Sequence, residues 1–154
     1  MQRTFIMFKP DAMNRGLIGK CVTRLEDKGL KLVGMKMLRM DDETLKVHYA
    51  HLADKPFFPG IVEFMKRSPV VATVWEGKEA VDVVRKICGV TNAREAAPGT
   101  IRGDYAMSIQ ANLVHASDSE DAAKQEIARF FTDAELFEWQ NALATHQYSK
   151  DEVE

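Results

Sequence analysis

Cysteine is scarce: the 154 residues hold two, Cys21 and Cys88, far apart and in no CxxC pair. That leaves no disulfide framework, only two thiols on apolar helix faces, as expected in a reducing compartment. No apolar run approaches the ~20 residues of a membrane span. At the N-terminus Lys9, Pro10 and Asp11 arrive before a signal-peptide core could form, so the expected location is cytoplasmic. There is no internal repeat, no low-complexity block and no linker before the last few residues. Excess positive charge is lacking too. A net charge of −2 and a pI near 6.1 argue against a coat of nucleic acid or anionic lipid. They leave room for a local basic pocket. Phosphate-binding fingerprints are also missing. Gly16-Leu17-Ile18-Gly19-Lys20-Cys21 has glycines too close for a P-loop and Cys where Ser or Thr is needed. No Rossmann glycine pattern occurs. What is present, 45% hydrophobic and 29% charged residues, is an ordinary globular mix. It fits one domain over 1–154 with a frayed polar tail at 149–154.

Periodicity divides the chain. Arg3 to Phe8 is apolar and β-prone, and Pro10 ends it because proline offers no ladder donor. Leu17, Ile18, Cys21, Val22 and Leu25 recur at helical spacing, with Gly29 at the expected C′ position. Leu30 to Leu38 is a strand with a bulge near Gly34. Asp41 and Asp42 can cap a helix through Leu45, Tyr49 and Leu52, which Pro56 to Gly60 breaks. A short helix through Phe64 and Met65 follows. Pro69 to Trp75 is apolar enough for a strand buried on both faces. Ala80 to Cys88 is helical and stops at Gly89. Thr91 to Gly103 shows neither period and reads as a long, functional loop. Tyr105, Met107 and Ile109 alternate and predict the fourth strand. Helices through Ala123, Ile127, Phe130 and Phe131, then Leu136 to Leu143, complete the chain. The order suits an α/β (α+β) sandwich of the ferredoxin-like βαββαβ type: a four-stranded antiparallel sheet covered by helices.

His115 follows the last predicted strand, and Ser117 with Glu120 forms an S-x-x-E capping box. Backbone N–H groups near a helix N-terminus favour anions and disfavour an imidazolium. A neutral imidazole there has a lone pair able to attack phosphorus. Glu126, farther along the same helix, could hold the other ring nitrogen. A lone histidine ending a strand is more often an ordinary polar residue, so the surroundings matter. Lys9 ends the first strand, Arg85 precedes the long loop and Arg102 closes it; Thr91 and Asn112 add neutral donors. Phosphoryl transfer needs such cations and donors around an in-line nucleophile. Singly, each reads as a solvated surface group. His48 and His51 lie on one helix with no evident third metal ligand, so they read as solvated. Of Phe57 and Phe58, one is expected in the core and one at a cleft edge.

These residues carry a family likeness. Thr4-Phe5-Ile6 leading to Lys9-Pro10-Asp11, Arg15-Gly16-Leu17, Pro56 to Gly60, Pro69-Val70-Val71, Val74 to Gly77, Thr91-Asn92, Pro98 to Asp104, and His115 with Ser117-Asp118-Ser119 occur in order. Over roughly Arg3 to Trp139 the sequence resembles the nucleoside diphosphate kinases. The resemblance implies a ping-pong exchange of γ-phosphate between nucleoside tri- and diphosphates through a phosphohistidine. By position, His115 looks like the nucleophile and Glu126 and Ser117 like its supports. Lys9, Tyr49, Arg85, Thr91, Arg102 and Asn112 look like phosphate and ribose contacts, and Phe57 and Ile61 like the base-stacking pair. It further implies Mg²⁺ carried on the nucleotide, with Asp118 touching it through water. The partners expected are nucleotides and further copies of the chain, as a hexamer in preference to a tetramer, with no membrane and no dedicated nucleic-acid binding.

The sequence departs from the family at Ala12 and Ala116, where glycine is usual, and at Lys55, Val90 and Ala93. Each alanine adds one methyl, tolerable where φ stays negative. Two rivals are a binding module without catalysis and a scaffold whose oligomer is its function. Retention of His115, Lys9 and the full polar set weighs against both.

Overall fold

A computed structural model of the chain describes residues 1–153. Four strands, β1 (Gln2–Phe8), β2 (Lys31–Leu38), β3 (Val70–Gly77) and β4 (Val114–Ala116), form one antiparallel sheet in the order β2-β3-β1-β4. This is the expected ferredoxin-like arrangement. Side chains alternate between its two faces, so each central strand feeds two cores. Phe5 and Met7 of β1 and Val70, Ala72 and Val74 of β3 point to one core. Ile6 and Phe8, with Val71 and Trp75, point to the other. The first core is closed by Leu45 of α3 (Asp42–His48), Phe64 and Met65 of α4 (Phe58–Lys66) and Phe130 of α7 (Glu120–Phe130). The second is closed by Ala12 of α1 (Pro10–Asn14), Cys21 and Leu25 of α2 (Ile18–Asp27), Val84 and Cys88 of α5 (Ala80–Cys88) and Ile101 of α6 (Ile101–Tyr105). Thr73 is the polar exception on β3: its hydroxyl donates to Ile6 O at 3.0 Å and accepts from Trp75 Nε1 at 2.8 Å. Both groups are thereby satisfied in a dry interior. Among the described residues no helix is long and apolar enough to cross a membrane.

The bulge at Gly34 is present: register slips between Leu32 and Gly34. A Cβ at Gly34 would meet Glu135 O at 2.9 Å and Phe131 Cε1 at 3.1 Å. Glycine lets the chain after α7 cross this strand closely. Asp41 caps α3 by accepting from Thr44 N at 2.7 Å.

Four expectations need correction. The fourth strand is Val114–Ala116, with Tyr105 ending α6. The alternation of Tyr105, Met107 and Ile109 marks no buried face, since Met107 is 74% and Ile109 54% exposed. The long loop ends earlier than Gly103, because Thr100 caps α6 by accepting from Gly103 N at 2.9 Å. Lys9-Pro10-Asp11 does more than end β1: Pro10 opens the short helix α1, its preset φ suiting a first turn. Residues 136–143 are not helical. Phe137 N donates to Val33 O at 2.9 Å and Trp139 Nε1 to Leu32 O at 2.8 Å. Unpaired carbonyls on the sheet's edge strand drew this segment out of its helical pattern. Beyond it lie two short helices, α8 (Ala144–Gln147) and α9 (Lys150–Val153). Glu154, the end of the expected tail, lies outside the described residues.

Candidate functional site

A cleft of about 1230 Å³ opens beside β4, walled by α3, α4, α5 and α7. Its volume suits a small ligand of nucleotide size. Lys9, Tyr49, Phe57, Ile61, Arg85, Thr91, Arg102, Asn112, His115, Asp118 and Glu126 all line it. Ser117 lies behind it, fully buried. The fold therefore gathers all the candidates, from elements and loops far apart in the chain, around one cavity. A smaller hollow of about 760 Å³ by the N-terminus holds none of them.

His115 lies within β4, paired across from Met7. The capping box does not form: Ser119, not Ser117, caps α7, accepting from Ala122 N at 3.1 Å. Ser117, two residues beyond His115, shares its face of the sheet and is buried against α7. There its hydroxyl donates to Glu126 Oε2 at 2.6 Å, and Glu126 Oε1 meets His115 Nε2 at 2.9 Å. Burial alone would push the Glu126 carboxyl up. The hydrogen bonds from His115 and Ser117 prevail and hold it below its ordinary value. An ionised carboxylate only accepts, so Nε2 carries the imidazole hydrogen and Nδ1 keeps the free lone pair.

Lys9 Nζ donates to Asn112 Oδ1 at 2.7 Å and Gln110 O at 3.3 Å. Burial, then the Arg102 charge, push this ammonium down to about 8. Arg102 is 9% exposed and donates to backbone carbonyls of Asn112 (3.3 Å), Gly89 (2.7 Å) and Val114 (2.6 Å). It thus braces the walls of the cleft, with two of its five N–H groups left for a ligand. Asn112 Nδ2 donates to Thr91 O at 2.9 Å, tying the long loop to β4. Arg85 and Thr91 are exposed on the cleft wall. Tyr49 is buried, and burial raises its phenol. Phe58 is in the core and Phe57 is 56% exposed on the rim, near half-buried Ile61. Asp118 is exposed at the mouth.

Sequence reasoning missed three neighbours. His48, expected in solvent, is 6% exposed and packs edge-on against the His115 ring, centroids 4.5 Å apart. Arg129 Nη1 donates to His48 Nδ1 at 3.1 Å. Burial, then His115, push the His48 imidazole down to about 3, so it stays neutral. One ligand-type atom each from His48, His115 and Glu126 lies within 4.8 Å of the others. Both Glu126 oxygens are already engaged, and Lys9, Arg102 and Arg129 crowd the site, which favours anions over a cation there. The third, Asp11, accepts from Leu113 N at 3.0 Å through Oδ2. The i+3 spacing of His48 from Leu45 placed it near the apolar stripe of α3, a signal that was available. Positive φ occurs outside glycine only at Glu79 and Leu113 among the described residues, so Ala12 and Ala116 are unstrained. Ala93 is buried, and Val90 is exposed on the cleft.

An arrangement of this kind can hold a polyanion beside an oriented imidazole. Comparison with known proteins points the same way. The family model described as nucleoside diphosphate kinase matches residues 2–136. A nucleoside diphosphate kinase from Parabacteroides distasonis is 52% identical over 152 residues, 99% of each chain. One from Halobacterium salinarum is 53% identical over 149 residues, 96% of this chain and 92% of the relative. The solved structure of a halophilic nucleoside diphosphate kinase from Halobacterium salinarum in complex with CDP superposes with TM-score 0.93. It covers 96% of this chain and 98% of that one, at 53% identity. A nucleoside diphosphate kinase family protein from Babesia bovis superposes with TM-score 0.92 at 41% identity, over 96% and 100% of the two chains.

Proposed function

This chain belongs to the nucleoside diphosphate kinase family, and from that premise we propose that His115 Nδ1 is the atom that carries the phosphoryl group. The activity is the family's: reversible ping-pong transfer of the γ-phosphate from a nucleoside triphosphate to a nucleoside diphosphate. The observation carrying the assignment is the bond of His115 Nε2 to an ionised, Ser117-supported Glu126, on a ring that lines the cleft.

In the first half-reaction Nδ1 forms a bond to the γ-phosphorus as the bond to the bridging oxygen breaks. The diphosphate leaves with that oxygen. The ring gains positive charge as it is phosphorylated, and the Glu126 carboxylate stabilises it through Nε2–H. Lys9, Arg85, Arg102, Thr91 and Asn112 neutralise charge on the phosphate oxygens and hold them in line. Tyr49 supports the sugar–phosphate segment. Phe57 and Ile61 grip the base by its faces, which every base possesses, so the base is held without being read. In the second half-reaction the terminal oxygen of another diphosphate attacks the phosphohistidine. The same contacts serve both directions, since the two nucleotides differ only in the travelling group.

Mg²⁺ fits as a passenger on the nucleotide. Asp118 is the exposed carboxylate at the cleft mouth and Glu126 is already engaged, too few ligands for an all-protein cage. Asp118 would hold the ion through water, and the bound ion would neutralise phosphate charge. We place the enzyme in the cytoplasm as a hexamer, with no dedicated nucleic-acid role. The net charge of −2 supports the last point, and the exposed Met107, outside the cleft, offers apolar surface for subunit contact.

The test is single-turnover labelling with Mg²⁺ and γ-labelled ATP, without acceptor. Acid-labile, base-stable label is expected on the wild-type protein, absent from His115→Ala, and passed to added GDP. Bound ATP with no label on the wild type would refute the assignment.

A further inference from the structure

Asn112, Leu113 and Val114 make a γ-turn immediately before His115. Val114 N donates to Asn112 O at 2.9 Å, and Leu113 sits at φ +72°. A γ-turn of that sign is rare and strained, more so for a residue with a Cβ. The Leu113 side chain is fully buried, while its backbone needs a hold of its own. Asp11 supplies that hold. Its Oδ2 accepts from Leu113 N at 3.0 Å, while Lys9 N donates to Leu113 O at 2.8 Å. The other oxygen, Oδ1, is buried with no hydrogen-bond partner. A buried carboxylate oxygen with no donor is unfavourable, so the placement of Asp11 here calls for a role. The turn separates two working groups: Asn112, which orients Lys9 Nζ, and His115, two residues beyond Leu113.

We infer that Asp11 is a positioning residue for phosphoryl transfer, its carboxylate locking the left-handed Leu113 turn that sets His115 and the Asn112–Lys9 pair relative to each other. Backbone strain next to a nucleophile persists only where neighbours over-determine it. Here the determinants are Asp11, Lys9 N and the Arg102 clamp on both flanking carbonyls. Of these, Asp11 alone is neither main chain nor a candidate nucleotide contact. The inference rests on the reading of His115 as phosphate carrier.

The experiment compares the full-length wild type with Asp11→Asn, which retains an acceptor oxygen, and Asp11→Leu, which keeps the approximate shape and has none. Labelling from γ-labelled ATP is timed at saturating nucleotide, ADP affinity is measured by calorimetry, and exchange of the Leu113 amide is followed by NMR. Asp11→Leu should slow labelling on the order of 100-fold, as expected for a nucleophile displaced by about 1 Å. ADP affinity should fall far less, because Phe57, Ile61 and Tyr49 belong to other elements. The Leu113 amide should exchange faster, and Asp11→Asn should label at close to the wild-type rate. Asp11→Ala, read by the same rules, replaces Asp11→Leu if that variant does not fold. Wild-type labelling rates without the acceptor, equal losses of rate and affinity, or Asp11→Asn as slow as Asp11→Leu would each overturn the inference. An unlabelled wild type would instead overturn the His115 assignment, which separates the two failures.

Discussion

Replacing Glu126 by Gln changes one atom of the carboxyl, yet the geometry predicts a large effect with an unusual rescue. Glu126 accepts at both oxygens, from His115 Nε2 at 2.9 Å and from Ser117 Oγ at 2.6 Å. Gln can accept at only one. If its oxygen stays with Ser117, its NH₂ faces His115, Nε2 must accept, and the proton moves to Nδ1. The nucleophilic lone pair is then lost, and a wrong tautomer costs on the order of 10⁴ in rate. If its oxygen instead faces His115, the tautomer survives and only the charge is lost. A hydrogen bond to a charged partner contributes about 1.5–3 kcal/mol and a neutral one about 0.5–1.5. The difference of about 1–1.5 kcal/mol is about tenfold. Ser117 decides between these outcomes. Its alternative acceptor, Phe5 O, is 3.5 Å away, so the hydroxyl keeps donating toward Gln and selects the harmful orientation. Glu126→Gln should therefore lose about 10³–10⁴ in phosphoenzyme formation. Adding Ser117→Ala should restore rate, toward a residual loss of about tenfold. Rapid-quench labelling at saturating MgATP measures both, with thermal melting to confirm folding. A double variant as slow as the single, or a single variant close to the wild type, would refute the reasoning. Glu126 also bears on acid stability. Its folded-state value lies below the ordinary 4.5, so its contribution is present above that value and lost as pH falls through the folded one. The wild type's stability lead over Glu126→Gln should shrink as pH drops below 4.5.

Three more outcomes are expected. Lys9 is held down to about 8 by burial and Arg102, so kcat/KM, which reports the free enzyme, should decline as pH rises past that value; a flat profile to pH 10 would show that the Lys9 charge is not used. Arg129→Met leaves His48 Nδ1 buried and unpaired, which should cost about 1–3 kcal/mol in chemical denaturation, and an unchanged midpoint would contradict it. Phe57→Ala should leave the melting temperature nearly unchanged, because the ring is 56% exposed, and raise KM on the order of tenfold for every nucleoside triphosphate; an effect confined to one base would refute base-neutral stacking.

Legibility in the sequence followed the strength of the local pattern. The long elements β1, α2, β3, α5 and α7 were readable because their apolar residues repeat with one clear period and their ends carry recognisable stops, such as Gly29 and Gly89. Strand β4 was not readable: it has three residues, and its neighbours to the N-terminal side mimic a strand while lying exposed. The segment after α7 carried a helical pattern, but bonds to the β2 edge outweighed local propensity. The candidate site divides in the same way. Lys9, Arg102, Asn112, His115 and Glu126 could be named from residue type and family likeness. Their convergence could not, since Lys9 and Asn112, 2.7 Å apart, are 103 positions apart in the chain.

By itself the sequence determined residue chemistry and period: which stretches could bury a face, and which groups could accept or neutralise phosphate. The tertiary structure alone decided that Ser117 supports Glu126 instead of capping a helix, and that His48 is a buried neutral ring. It also decided that Arg102 braces three carbonyls and that Leu113 sits at positive φ with its N–H on Asp11. The reason is physical. Periodicity reports which side of an element is apolar, a property of neighbours along the chain. A hydrogen-bond partner, a tautomer or a strained turn depends on groups brought from distant strands and helices, and these meet only when the sheet closes.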